Sequence, residues 1–306
     1  MKRTVSALAA MLLLFVVMPA FAATPLVTAE LLITNLQNPD LVVLDLQTPQ
    51  GYQRAHIPGA VNSDYARWRT GGKSGAPKVM PPVERMEVMI GGLGIDNRTH
   101  VVLTPLGQSA GDMAAAARIY WTFKALGHDE VSILDGGLIA YAGGGRKRPL
   151  ERKANTPGSE VFKAEPRAEY LVSKNDVRNS MMGGVAMVDS RSRAEYLGIY
   201  QAGGKERPGT IPGAVNLPYD WLTVNGGAQF HTSEDLQVIY RSSGVPLEGA
   251  QISFCHTGHR TALAWFVSHE LLGNKKAQMY DGSMAEWAAD RDTPLEQKVE
   301  LECKSC

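Results

Sequence analysis

The stretch His56-Ile57-Pro58-Gly59-Ala60-Val61-Asn62 returns later in the chain as Thr210-Ile211-Pro212-Gly213-Ala214-Val215-Asn216, and its surroundings return with it. Upstream of each copy an apolar segment ends in aspartate, Leu41 to Asp45 and Val185 to Asp189, and a tyrosine follows, Tyr52 or Tyr196. Downstream, Leu134-Asp135-Gly136-Gly137 parallels Tyr280-Asp281-Gly282-Ser283, each just past a Leu-Gly pair, Leu126-Gly127 or Leu272-Gly273. Paired positions lie about 144 to 154 residues apart, too far for a solenoid repeat and suited to a duplicated domain.

Each half alternates short apolar or β-branched runs with amphipathic helical patterns. In the first half this predicts strands at 41–45, 100–104 and 131–134 and a helix at 110–126, and the second half repeats the series. That order specifies an α/β fold of two tandem domains, each a mainly parallel sheet flanked by helices on both faces. The expected boundaries are 23–145 for the N-terminal domain, 146–165 for a basic linker rich in Gly and Pro, and 166–306 for the C-terminal domain.

The start, Met1-Lys2-Arg3, then an apolar run from Val5 to Val17, then Ala20-x-Ala22, reads as a cleavable signal peptide over 1–22. The apolar run is short for a membrane span, so the expectation is an exported, periplasmic chain beginning near Ala23, with no membrane span after cleavage. With 31 basic and 31 acidic residues interspersed, nothing points to nucleic acid. The three cysteines are Cys255, Cys303 and Cys306. In an oxidising compartment the natural pair is Cys303 with Cys306, leaving Cys255 free. Two terminal cysteines without ligand-spaced histidines make a poor zinc site, so neither metal nor cofactor is expected.

Cys255 stands in Phe254-Cys255-His256-Thr257-Gly258-His259-Arg260-Thr261, between an expected strand at 251–254 and an expected helix at 262–272. Unpaired amides and partial positive charge at a helix start favour thiolate over thiol. Gly258 permits a tight curl, and Arg260 adds a fixed cation. Ligands of parallel sheets gather at the C-terminal strand ends, where Cys255 would lie. Trp121, Trp265 and Trp287 read as core, His56 as a brace for the turn after it, and Asp45, Asp135, Asp189 and Asp281 as loop braces.

Taken together, the two IPGAVN copies, the paired Asp-Gly turns and the Cys255-x-Thr257-Gly258 opening resemble the two-domain rhodanese-type sulfurtransferases, which use thiosulfate or 3-mercaptopyruvate. The resemblance implies that the first domain has lost its cysteine and the second is catalytic. Thr104 to Ser109, the matching first-half stretch, indeed has none. It further implies a sulfane sulfur held as a Cys255 persulfide, then passed to a thiol or cyanide, with a protein acceptor a further candidate partner. Amides from His256 to Thr261 would hold the sulfur anion, Thr257 would relay a proton, and His259 and Arg260 would attract an anionic donor. Arg191 is the matching donor-binding arginine, and Asp64 matches an acidic residue directed across the domain interface. Leu197 stands where mercaptopyruvate-using relatives carry an arginine; Lys205 and Arg207 lie near enough in sequence to substitute.

Four residues separate Cys255 from Arg260. Cysteine phosphatases of similar fold have one more, so the shorter loop suits a single sulfur atom. Two alternatives remain at this point: a non-enzymatic persulfide carrier, and a thiol–disulfide redox protein using Cys303 and Cys306.

Overall fold

Strands β1 (Leu26–Val27), β2 (Leu41–Asp45), β3 (Val61–Asn62), β4 (His100–Thr104) and β5 (Val131–Leu134) form one parallel sheet in the order β1-β5-β4-β2-β3. A second parallel sheet, β7-β6-β8-β9, is built from β6 (Ala186–Asp189), β7 (Val215–Asn216), β8 (Gln251–Phe254) and β9 (Ala277–Met279). A single parallel bridge between Val172 and Tyr280 takes the place that β1 holds in the first sheet. The computed structural model describes residues 23–72, 75–143, 148–201 and 206–301, so the expected signal segment, Lys205, Cys303 and Cys306 lie outside the described residues. No helix among the described residues is long and apolar enough to cross a membrane.

Helices cover both faces of each sheet, which is why β4 is buried at every position and carries the consecutive apolar residues Val101, Val102 and Leu103 at its centre. The repeated motif does the same work in both halves. Gly59 and Gly213 each turn the chain at a φ of 75°, a left-handed conformation suited to glycine. Their amides donate to Glu151 Oε2 (3.0 Å) and Glu296 Oε2 (3.1 Å). Tyr52 donates its hydroxyl to Ala60 C=O at 2.7 Å, and Tyr196 to Ala214 C=O at 2.9 Å. His56 stacks on Tyr52 with its Nδ1 2.7 Å from the Tyr52 carbonyl, so its ring braces the helix before it and not, as expected, the turn after it.

Residues 148–165 lie along the first domain. Glu151 pairs with His56 as a β-bridge, Glu160 N–H donates to Gly91 C=O (3.0 Å), and Glu165 N–H donates to Leu126 C=O (2.8 Å). Glu151 is thus the first-domain counterpart of Glu296, which bridges Thr210 near the end of the second.

The domains meet through helix Ala110–Ala125 and helix Arg260–Phe266. The first, capped by Ser109 accepting from Asp112 N–H, is buried nearly all round because one side faces its own sheet and the other the second domain. Tyr120 meets Phe266 edge-on at 4.9 Å between centroids, inside a core cluster drawn from both domains. Burying each such aromatic contributes about 2 kcal/mol. The expected 262–272 helix begins earlier, at Arg260, and finishes as a π-helical turn over Val267–Leu271. Trp121, Trp265 and Trp287 are all core residues.

Reciprocal aspartates fasten the interface. Asp281 Oδ2 accepts Met80 N–H of the first domain at 2.9 Å, and Asp135 Oδ1 accepts Phe230 N–H of the second at 3.2 Å. The duplicated Asp-Gly turns therefore brace across the domain boundary.

Candidate active site

Strand β8 is an inner strand of its sheet, and the chain leaves it directly into Cys255, whose residue surface is 1% exposed. Gly258 sits at φ +74°, and a Cβ there would come within 2.6 Å of Asp281 O and Oδ1, so both conformation and space require glycine. The loop rests on helix Ser283–Trp287: Met284 N–H donates to Cys255 C=O (3.0 Å) and Ala285 N–H to His256 C=O (2.8 Å). The amides of Cys255 and Gly258 each donate to Ser283 Oγ at 3.2 Å. Thr261 turns inward and donates to Ser253 Oγ at 2.8 Å, fixing the loop's far end.

Cations from both domains surround this loop. Arg260 forks onto Glu195, Nη1 to Oε2 at 2.6 Å and Nη2 to Oε1 at 2.8 Å, with its guanidinium 6.0 Å from the Tyr219 ring centre. Burial pushes the Glu195 carboxyl up, but the Arg260 hydrogen bonds and charge outweigh it and bring the pKa down to about 2. From the first domain, Arg69 donates to the Thr257 carbonyl. Fully buried Arg118 places Nη1 2.7 Å from Asp281 Oδ1, and that nitrogen lies 3.2 Å from where a Gly258 Cβ would stand. His256 pairs with Glu206 at 2.7 Å on the more exposed side.

His259 does not add the positive charge expected of it. It shares a 2.8 Å hydrogen bond with Tyr65 of the first domain. Burial, then the charges of Arg69, Arg260 and Arg118, hold its pKa down to about 3. The ring is therefore neutral near pH 7. Tyr65 itself, pushed up to about 12 chiefly by burial, stays protonated.

Two expected donor-binding residues serve the scaffold. Arg191 donates from Nε and Nη2 to Asp189 (2.9 and 2.6 Å) and from Nη2 to Gly209 C=O (2.8 Å), a buried ion pair with a fully enclosed carboxylate. Asp64 caps the short helix Tyr65–Trp68, accepting from Ala66 N–H at 3.0 Å; its neighbours Tyr65 and Arg69 make the crossing assigned to it. Arg207 donates to the carbonyls of Ala288, Asp290 and Thr293, tying down the chain near its end.

Reading along the chain missed Tyr65, Arg69, Arg118, Glu195, Tyr219 and Ser283. A signal for the tyrosines was present: each stands three positions after an IPGAVN copy. Tyr65 meets His259 and Tyr219 lies beside the Arg260 guanidinium, so the duplication delivers one tyrosine from each domain to the same loop.

The pattern of the rhodanese-like domain matches residues 28–143 and 173–290. "Putative thiosulfate sulfurtransferase 1" of Mycobacterium bovis is 30% identical over 285 residues, covering 89% of this chain and 97% of its own. "Putative thiosulfate sulfurtransferase" of Haloferax volcanii is 30% identical over 261 residues, covering 84% and 88%. Among solved structures, the 3-mercaptopyruvate sulfotransferase SseA from Escherichia coli superposes with a TM-score of 0.74 at 26% identity, over 85% of this chain and 99% of that one. The anaerobic ergothioneine biosynthesis enzyme of Chlorobium limicola shares the fold, with a TM-score of 0.76 at 21% identity over 90% and 71% of the two chains. With both halves matched and the cysteine loop at their junction, the chain belongs to the rhodanese family, as a two-domain rhodanese-type sulfurtransferase.

Proposed function

We propose that the protein moves a sulfane sulfur through Cys255, taking it from thiosulfate in preference to 3-mercaptopyruvate and yielding it to a thiol or cyanide. The observation that carries this reading is the buried Cys255 thiol at the domain junction, beside a neutral His259 and the cations Arg69, Arg118 and Arg260. A fixed positive field of this kind stabilises both a thiolate and the persulfide anion that replaces it.

The Cys255 thiolate attacks the outer sulfur of the donor and forms an Sγ–S bond. With thiosulfate the donor's S–S bond breaks and sulfite leaves with the electron pair. With 3-mercaptopyruvate the C–S bond breaks and the enolate of pyruvate leaves, taking a proton through Thr257. The acceptor then attacks the outer persulfide sulfur and Cys255 returns as thiolate. His256, Gly258 and Thr261 shape the loop around the sulfur.

Leu197, at the position where mercaptopyruvate-using relatives carry an arginine, together with Arg191 held by Asp189, favours the smaller inorganic anion. Comparing kcat/KM for the two donors tests this: a higher value for thiosulfate is expected, and a higher value for 3-mercaptopyruvate reverses the donor assignment. The reaction is further proposed to run outside the cytoplasm, on a chain cleaved near Ala23; the mass of the protein recovered from periplasmic extract checks this.

A further inference from the structure

The two halves dock their equivalent loops in the same way. Met284 N–H and Ala285 N–H hold the carbonyls of Cys255 and His256, while Leu138 N–H (2.9 Å) and Ile139 N–H (3.1 Å) hold those of Pro105 and Leu106. Superimposing these bonds matches Cys255 with Pro105 and Ser283 with Gly137. Both members of the second pair are left-handed, Gly137 at φ +62° and Ser283 at φ 51°. Glycine suits such a conformation, and a buried serine there is unusual.

In the cysteine-free half there is no room for a side chain, since a Cβ at Gly137 would come 2.4 Å from Pro105 O and 3.0 Å from Gly107 N. In the catalytic half the loop leaves space for Ser283, which is fully buried. Its hydroxyl donates to Tyr280 C=O at 2.8 Å and accepts from the amides of Cys255 and Gly258. Pro105 has no N–H, so the first of these donors does not exist in the other half. The serine and the cysteine thus occur together and are absent together within one chain.

We propose that Ser283 is a positioning residue for sulfur transfer: its oxygen pins Cys255 and Gly258 to one point behind the loop and so sets where the thiol and the remaining loop amides face. The amides of His256, Thr257 and His259 take no partner among the described residues, which leaves them to receive the sulfur anion. This inference rests on the persulfide reading of Cys255.

The test compares the wild type with Ser283→Gly and Ser283→Ala in single-turnover loading from thiosulfate, in the rate of Cys255 alkylation by iodoacetamide across pH, and in Tm. Arg69, Arg118, Arg260, His256, His259, Tyr65, Tyr219 and Asp281 are unchanged in all three. Losing two hydrogen bonds at the loop predicts loading and alkylation slowed about tenfold in both variants. Ser283→Gly relieves the left-handed side chain that Ser283→Ala keeps, so it is expected to melt above Ser283→Ala although both lose the hydroxyl's hydrogen bonds. Wild-type rates in either variant overturn the proposal, as does a loss of rate that follows Tm from one variant to the other instead of being the same in both. Absence of sulfur on wild-type Cys255 overturns the persulfide reading instead, and the alkylation rates then still decide whether Ser283 holds the loop.

Discussion

Arg118 Nη1 of the first domain lies 2.7 Å from Asp281 Oδ1 of the second, directly behind the cysteine loop. The contact is ionic, since neither atom has hydrogen-bond geometry toward the other, and Arg118 Nε and Nη2 take no hydrogen bond among the described residues. The guanidinium is otherwise supported by the face of Trp121, 4.5 Å from its centre. Asp281 is thus the main counter-charge of a fully buried arginine, and it also receives Met80 N–H.

Removing that counter-charge strands a buried cation. Asp281→Asn is expected to lower unfolding free energy by about 3 kcal/mol, and adding Arg118→Met should recover part of the loss. Urea titrations of the single and double variants read both effects; equal losses for the single and double variants would contradict the pairing.

Glu195 makes stability depend on acid. Its carboxyl, at about 2 when folded against 4.5 ordinarily, binds fewer protons in the native state. Stability from the Arg260 pair is therefore fully present above about pH 4.5 and drains away as pH falls toward 2. Glu195→Gln should flatten Tm across that acid window while lowering Tm at neutral pH.

His259 is expected to remain an uncharged imidazole. Its folded pKa of about 3 lies below the ordinary 6.5, so the unfolded chain takes up the proton first and the stability contribution is lost as pH falls below 6.5. Imidazole NMR shifts for His259 should stay constant from about pH 8 to 5, where an ordinary histidine titrates. A midpoint near 6.5 would contradict the site electrostatics.

Arg69 reaches the loop from the other domain, through the Thr257 carbonyl. Arg69→Met is expected to reduce kcat/KM about ten- to a hundredfold, because a charge-assisted hydrogen bond to the loop and one cation are lost together. Steady-state kinetics with thiosulfate, alongside Tm, separates this from a folding defect.

These cross-domain contacts explain where sequence reading stopped. The parallel strands and the long interface helix were legible because buried apolar runs and alanine-rich helices are local patterns, and the motif turns because each half repeated them. Cys255, Gly258 and Arg260 were legible because one contiguous loop carries them. Arg69, Arg118 and Tyr65 were not, since only the packing of one domain on the other brings them to that loop. Arg191 looked available, but Asp189 two positions earlier is buried and needs it as a partner. Asp64 was placed one residue from the side chain that crosses. Ser283 stood in plain view as the mismatch with Gly137, without the geometry to say why it mattered.

The central claim is that Cys255 carries the sulfur. Intact-protein mass spectrometry after incubation with thiosulfate should show a gain of about 32 Da on the wild type, none on Cys255→Ala, and return to the starting mass on adding cyanide. An unchanged wild-type mass, or the same gain on Cys255→Ala, would contradict the account.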